Sequence, residues 1–177
     1  HTLSLHDALP ISIYPYVYKA KYNSTSSSWS EDYEEKPHKT PEEEAKIGGD
    51  SLQELLGKRN SFPDLPLVNY TTQYGLGCFE GLKAFPQKDG QLKLYRVDMN
   101  AKRMAESMAG LKMPVFPEEM FVQAVKSLVR KNIELGFYPE YDKSWEKDNF
   151  LHGSSVYIRP FAYSEPAIGL GLSFAPW

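Results

Sequence analysis

The sequence predicts an α+β fold, a mixed or antiparallel sheet with helices packed on it. Three observations carry that expectation. Short apolar runs with a period of two, or bounded by turn residues, mark strands. One longer stretch repeats apolar residues at three-and-four spacing, and a second carries helix-end residues at both ends, the marks of helices. The order along the chain is strands, then helices, then one more strand.

Taken in order, Tyr14, Tyr16 and Tyr18 alternate within residues 13–22 and share one face of a strand. Ser24–Ser28 reads as a loop, and residues 29–36 as a returning strand. Lys39–Gly49 is charged and interrupted by Pro41, Gly48 and Gly49. A short helix is predicted over Ser51–Leu56, after which Pro63 and Pro66 extend the chain to Tyr70. Phe79–Phe85 and Leu92–Val97 read as strands joined by a turn at Asp89-Gly90. Asp98 is expected to cap a helix from Met99 to Leu111, with Ala101, Met104, Ala105, Met108 and Leu111 as its apolar stripe. A second helix is predicted over Pro117–Leu135. Glu118 and Glu119 suit its positive end, Arg130 and Lys131 its negative end, and Gly136 its exit. Its face Glu119, Gln123, Lys126, Arg130 is a solvated surface. Residues 138–153 are expected to be a loop, and Val156–Tyr163 the last strand.

The 177 residues allow one domain with a real core. A net charge of -3 offers no basic field, so nucleic acid is an unsuitable partner. No apolar run approaches the roughly 20 residues that span a bilayer. The single cysteine, Cys78, can form neither an internal disulfide nor a multi-cysteine metal site, and it reads as a small buried hydrophobe. That usage fits a cytoplasmic compartment. Residues 1–12 (HTLSLHDALPIS) lack the basic and apolar regions of a signal peptide. They resemble translated adapter sequence and are set aside as non-native, leaving 13–163 as the domain and 164–177 as the start of a connection to a second one.

Three stretches carry chemistry. In Tyr74–Gly81 (YGLGCFEG), Gly75, Gly77 and Gly81 permit a sharp turn and a close backbone approach to a ligand. Their spacing misses the dinucleotide fingerprint, and a strand follows where a helix is needed. In Leu94–Met104 (LYRVDMNAKRM), Arg103 shares a helix face with Ser107 and Gly110. A fork of permanent donors beside small residues suits a phosphate. In Val156–Pro160 (VYIRP), Tyr157 and Arg159 share one face of a strand and can orient a carboxylate together. Alone, the first two stretches are better explained as structure, a turn and a surface salt bridge, and the third has a structural alternative in side chains snorkelling at the sheet surface.

Their order and separations change that balance. Together with LKMPVFPEEMF (Leu111–Phe121) and EPAIGLG (Glu165–Gly171), the segments YGLGCFEGLKAF, LYRVDMNAKRM and VYIRPF resemble the branched-chain-amino-acid aminotransferases, fold type IV enzymes that use pyridoxal 5'-phosphate (PLP). The resemblance covers about residues 66–171 and implies the small N-terminal domain of that fold.

The resemblance also implies roles. Arg103 matches the arginine that binds the cofactor phosphate. Tyr74, Phe79 and Tyr157 match aromatic walls of the substrate pocket, and Arg159 an arginine associated with the acidic side chain of glutamate. Ile168 and Leu170 match a loop that reaches into a neighbouring subunit's pocket, so a homodimer is implied. The reaction moves an amino group between a branched-chain amino acid (leucine, isoleucine or valine) and 2-oxoglutarate. The lysine that forms the Schiff base lies in the family's second domain. No catalytic residue and no metal ligand is therefore assigned here, Lys83 reads as structural, and the chain is expected to be an inactive part of the enzyme. Two alternatives stand beside this reading: a D-amino-acid aminotransferase or aminodeoxychorismate lyase of the same fold, and a stand-alone non-catalytic binding module.

Overall fold

The computed structural model describes residues 13–59, 66–151 and 153–164. The adapter-like segment 1–12, Pro63, and the loop residues Ile168 and Leu170 lie outside them. Two strands, β1 (Tyr16–Asn23) and β2 (Ser28–Glu35), form the predicted antiparallel hairpin. The Asn23 side chain accepts hydrogen bonds from the Thr25 and Ser26 amides at 2.9 and 3.1 Å, which tightens the turn. The hairpin lies against the second long helix: the Tyr16 amide donates to Asn132 Oδ1 at 3.0 Å, and the Trp29 ring meets Phe116 edge-on at 5.0 Å.

The charged stretch after the hairpin is more regular than the sequence suggested. Pro41–Glu44 forms helix α1, because Pro41 falls where no amide is needed and Thr40 and Glu43 build a reciprocal capping box. Helix α2 (Gly49–Arg59) extends the predicted Ser51–Leu56 at both ends. Its last residue closes a buried ion pair: Arg59 Nη1 donates to Glu44 Oε2 at 3.0 Å and to the Ile13 carbonyl at 2.7 Å. A short helix, α3 (Tyr70–Tyr74), was not anticipated. Asn69 caps it, and Gly75 ends it at φ 66°, a left-handed conformation that glycine adopts without strain.

The two central strands were each predicted as one run, and each is divided. Phe79–Phe85 becomes the end of β3 (Gly77–Phe79) and β4 (Leu82–Pro86); Val156–Tyr163 becomes β6 (Val156–Ile158) and β7 (Phe161–Tyr163). One antiparallel register nevertheless runs through both halves, with Phe79 opposite Phe161 and Leu82 opposite Ile158. The gap falls where Glu80 faces Pro160. The Glu80 amide donates to the Pro160 carbonyl at 2.9 Å, but proline has no amide to return the bond. Strand β5 (Leu92–Leu94), shorter than the predicted Leu92–Val97, joins the other edge of β4 through the Asp89-Gly90 turn.

Helix α4 (Val97–Gly110) begins before Asp98, so Asp98 is not its cap. Arg96 holds the cap position in a left-handed conformation with no side-chain bond, while Asp98 sits in the first turn, where its charge still suits the positive end. Helix α5 spans Glu118–Glu134, close to prediction, and its face Glu119, Gln123, Lys126, Arg130 is exposed. Within the expected loop 138–153, Lys143–Asp148 coils into a 3-10 helix. The core lies between sheet and helices: Leu82, Ala84 and Ile158 pack against Ala101, Met104 and Met108 of α4 and Phe121 and Val125 of α5. Cys78 packs at its edge, and burial pushes its thiol pKa up, as for a cysteine serving as a hydrophobe.

Candidate functional site

Strand parity sorts the candidate residues. One face of β4 and β6 supplies the core, so the intervening positions point away from it. Phe79, Gly81 and Lys83 therefore share the outer face with Tyr157, Arg159 and Phe161, and all six are exposed. Arg159 Nη2 donates to Tyr157 Oη at 3.0 Å, and its guanidinium lies 5.0 Å from the centre of the Phe79 ring. The structure thus brings Phe79, Tyr157 and Arg159 into one cluster, a cation held between two aromatic rings. Such a cluster offers a planar donor array and a phenol to a carboxylate, with apolar surface beside them.

Gly81 makes the cluster possible. A Cβ there would lie 2.7 Å from Tyr157 Oη and 3.4 Å from its ring. The Gly81→Ala substitution is expected to push the phenol off Arg159 while costing little stability, since only an exposed side chain must move. A nearly unchanged thermal midpoint together with a displaced Tyr157 ring in the variant's crystal structure would confirm this. A Tyr157 phenol still bonded to Arg159 would contradict it.

Arg103 stands on the helix side of the sheet, away from that face. Its Nε and Nη2 donate to Glu80 Oε1 and Oε2 at 3.0 and 2.8 Å, a two-pronged salt bridge. Asn100, one turn earlier on α4, donates to Glu80 Oε2 at 2.8 Å and to the Gly81 carbonyl at 3.2 Å. Arg103, first by hydrogen bonding, holds the Glu80 carboxyl below the usual carboxylate range, against the opposing effect of burial. The surface salt bridge that the sequence allowed for Arg103 is therefore present, but it engages only one edge of the guanidinium. Nη1 has no hydrogen-bond partner among the described residues. Ser107 is exposed on the same helix face, and a Cβ at Gly110 would meet nothing within 4 Å. A free donor edge on an exposed guanidinium fits a phosphate, with the Glu106 carboxylate also acting on that charge, so the residues present are compatible with PLP.

Residues 79–81 join the two groups: Phe79 under Arg159, Glu80 gripping Arg103, Gly81 beside Tyr157. Tyr74 is less integrated. It is exposed, and its ring neighbour is Tyr70, 6.1 Å away. Ile168 and Leu170 lie outside the described residues. Glu80 and Asn100 were not singled out from sequence. Asn100 was findable, three residues before Arg103 on one helix. Glu80 was findable as a charge at a core-facing strand position, between Cys78 and Leu82, where it needs a partner.

Among the described residues, no group of three or more His, Cys, Asp or Glu could hold a metal ion, and no helix is long and apolar enough to cross a membrane. No family model matches the chain. Individual proteins do. A branched-chain-amino-acid aminotransferase of Haemophilus influenzae is 42% identical over 89 residues, 50% of this chain and 22% of its own length. Over about half its length the chain is similar to branched-chain-amino-acid aminotransferases. Branched-chain-amino-acid transaminase 1 of Bacillus subtilis is 38% identical over 101 residues, 56% of this chain and 25% of its own length. A transaminase of Alternaria alternata is 40% identical over 94 residues, 53% and 22% of the two chains. The chain thus spans about a quarter of the length of these aminotransferases. A slight structural likeness, with a TM-score of 0.37 and 24% identity, links 60% of this chain to 36% of a solved branched-chain aminotransferase from Thermobaculum terrenum in its PLP form.

Proposed function

We propose that this chain is the phosphate-anchoring and substrate-orienting part of a PLP-dependent transaminase that moves an amino group between branched-chain amino acids and 2-oxoglutarate. The observation that carries this reading is identity of 38–42%, over about half of the chain, to curated enzymes named for that activity. The cofactor, when bound, serves as the electron sink for the transfer. The chain's own residues bind and orient. Arg103 takes the phosphate on its free edge. Tyr157 and Arg159 hold the side-chain carboxylate of glutamate or 2-oxoglutarate, and Phe79 and Tyr74 wall the pocket. Ile168 and Leu170 present apolar surface to a branched substrate in the partner subunit of a homodimer, each buried methylene contributing roughly 0.8 kcal/mol. The catalytic lysine comes from outside these residues, and Lys83 is structural. The enzyme works in the cytoplasm.

The test is to express the full protein, load it with PLP and supply L-leucine and 2-oxoglutarate. Glutamate formation is expected. Its absence overturns the proposal, and transfer from D-alanine or lysis of aminodeoxychorismate in its place would move the chain to another enzyme of the same fold.

A further inference from the structure

A guanidinium presents donors on two edges, and Arg103 uses only one of them within the described residues. The partner on that edge is unusually well held. Glu80's side chain is only 12% exposed, against 52% for Arg103, so the carboxylate lies on the inner side and the cation on the outer. Asn100 is itself buried, and it bonds both Glu80 and the backbone of Gly81. The order from core outward is therefore amide, carboxylate, guanidinium, and the Glu106 carboxylate, one turn further along α4, also acts on that half-exposed cation. An anion arriving from solvent meets the cation first.

We propose that Glu80 is a positioning residue for Arg103: fixed by Asn100, it grips the Nε and Nη2 edge and turns the other edge outward to receive the cofactor phosphate. This rests on the reading of Arg103 given above. A free arginine carries several rotatable bonds, and ordering it at the moment of binding weakens affinity. Glu80 orders it beforehand. The nearby negative charge opposes the phosphate as well, and only the balance of the two effects reaches the measured affinity.

The experiment compares PLP with pyridoxal, which lacks the phosphate, as ligands of the full apo-protein, by absorbance or fluorescence titration. Glu80→Gln removes the charge and one acceptor of the pair. The expected result is a loss of PLP affinity of about tenfold, typical of one misplaced charge-assisted hydrogen bond, with pyridoxal affinity unchanged. Glu80→Asp, which keeps the charge, is expected to lose less. A merely structural role would weaken both ligands alike, and that result overturns the proposal. Tighter PLP binding in Glu80→Gln also overturns it, by showing that Glu80 competes with the phosphate. Arg103→Ala separates the two claims. If it leaves PLP affinity unchanged, the phosphate reading falls and the positioning role with it. If it weakens PLP binding while Glu80→Gln does not, only the positioning role falls. In the Arg103→Ala background, Glu80→Gln is expected to change nothing further. Should Glu80→Gln fold poorly, Glu80→Asp and Arg103→Lys, which keep the charges but alter the fork, give the same comparison.

Discussion

Replacing Arg59 with methionine should destabilise the protein by about 3–5 kcal/mol, the usual cost of breaking one side of a buried ion pair. Arg59 is only 2% exposed, and its charge is satisfied on every side. Glu44 takes both Nη groups, the Ile13 carbonyl accepts from Nη1, and the Pro37 carbonyl accepts from Nε at 3.0 Å. The guanidinium also lies 5.3 Å from the centre of the Phe137 ring. One side chain therefore ties the end of α2 to α1, to the chain before the hairpin and to the residues after α5. Removing it leaves Glu44 as an unpaired charge in a dry site, which is where the penalty arises. The double variant Arg59→Met, Glu44→Met should recover much of the loss, because two apolar groups of similar size need no partner. Denaturant unfolding of the two variants checks both statements. A single variant as stable as the wild type would show that water reaches the site.

Replacing Arg103 with alanine should weaken PLP binding to the full protein by about tenfold to a hundredfold, the range for losing charge-assisted hydrogen bonds to a phosphate. Titration of apo-protein with PLP reads this directly. The same variant carries a pH signature. In the wild type Arg103 holds the Glu80 carboxyl below its ordinary range, so Glu80 is more easily ionised folded than unfolded. A depressed carboxylate contributes stability above its unfolded pKa and loses it as the pH falls through the folded one. The stability gap between wild type and Arg103→Ala should be widest near neutral pH and close in acid, once Glu80 is protonated in both. Thermal midpoints from about pH 7 to about pH 3 trace the gap. A gap that stays constant over that span would show that Glu80 and Arg103 are not coupled in solution.

Much of this was legible in the sequence, for physical reasons that differ by element. The hairpin 16–35 was readable because alternating tyrosines impose a period of two. Helix α4 was readable because apolar positions at three-and-four spacing bury only as a helix, and α5 because acidic residues, basic residues and a glycine mark its two ends. Helix α1 was missed because its proline reads as a breaker unless the capping partners around it are considered together. The breaks in the central strands were missed because the cost of Pro160 depends on which residue faces it, and that is Glu80, far away in sequence.

By itself the sequence determined which residues share a face: Tyr157 with Arg159 on one strand, and Arg103 with Ser107 and Gly110 on one helix. That follows from backbone periodicity, which needs no partner. Only the tertiary structure decided what those faces meet. Phe79 lies against Arg159, Gly81 makes room for Tyr157, Glu80 with Asn100 occupies one edge of Arg103, and Glu44 neutralises Arg59. The reason is electrostatic and steric. A charge or a ring takes its meaning from neighbours a few ångströms away in space, and those neighbours come from segments whose pairing is set by the packed core.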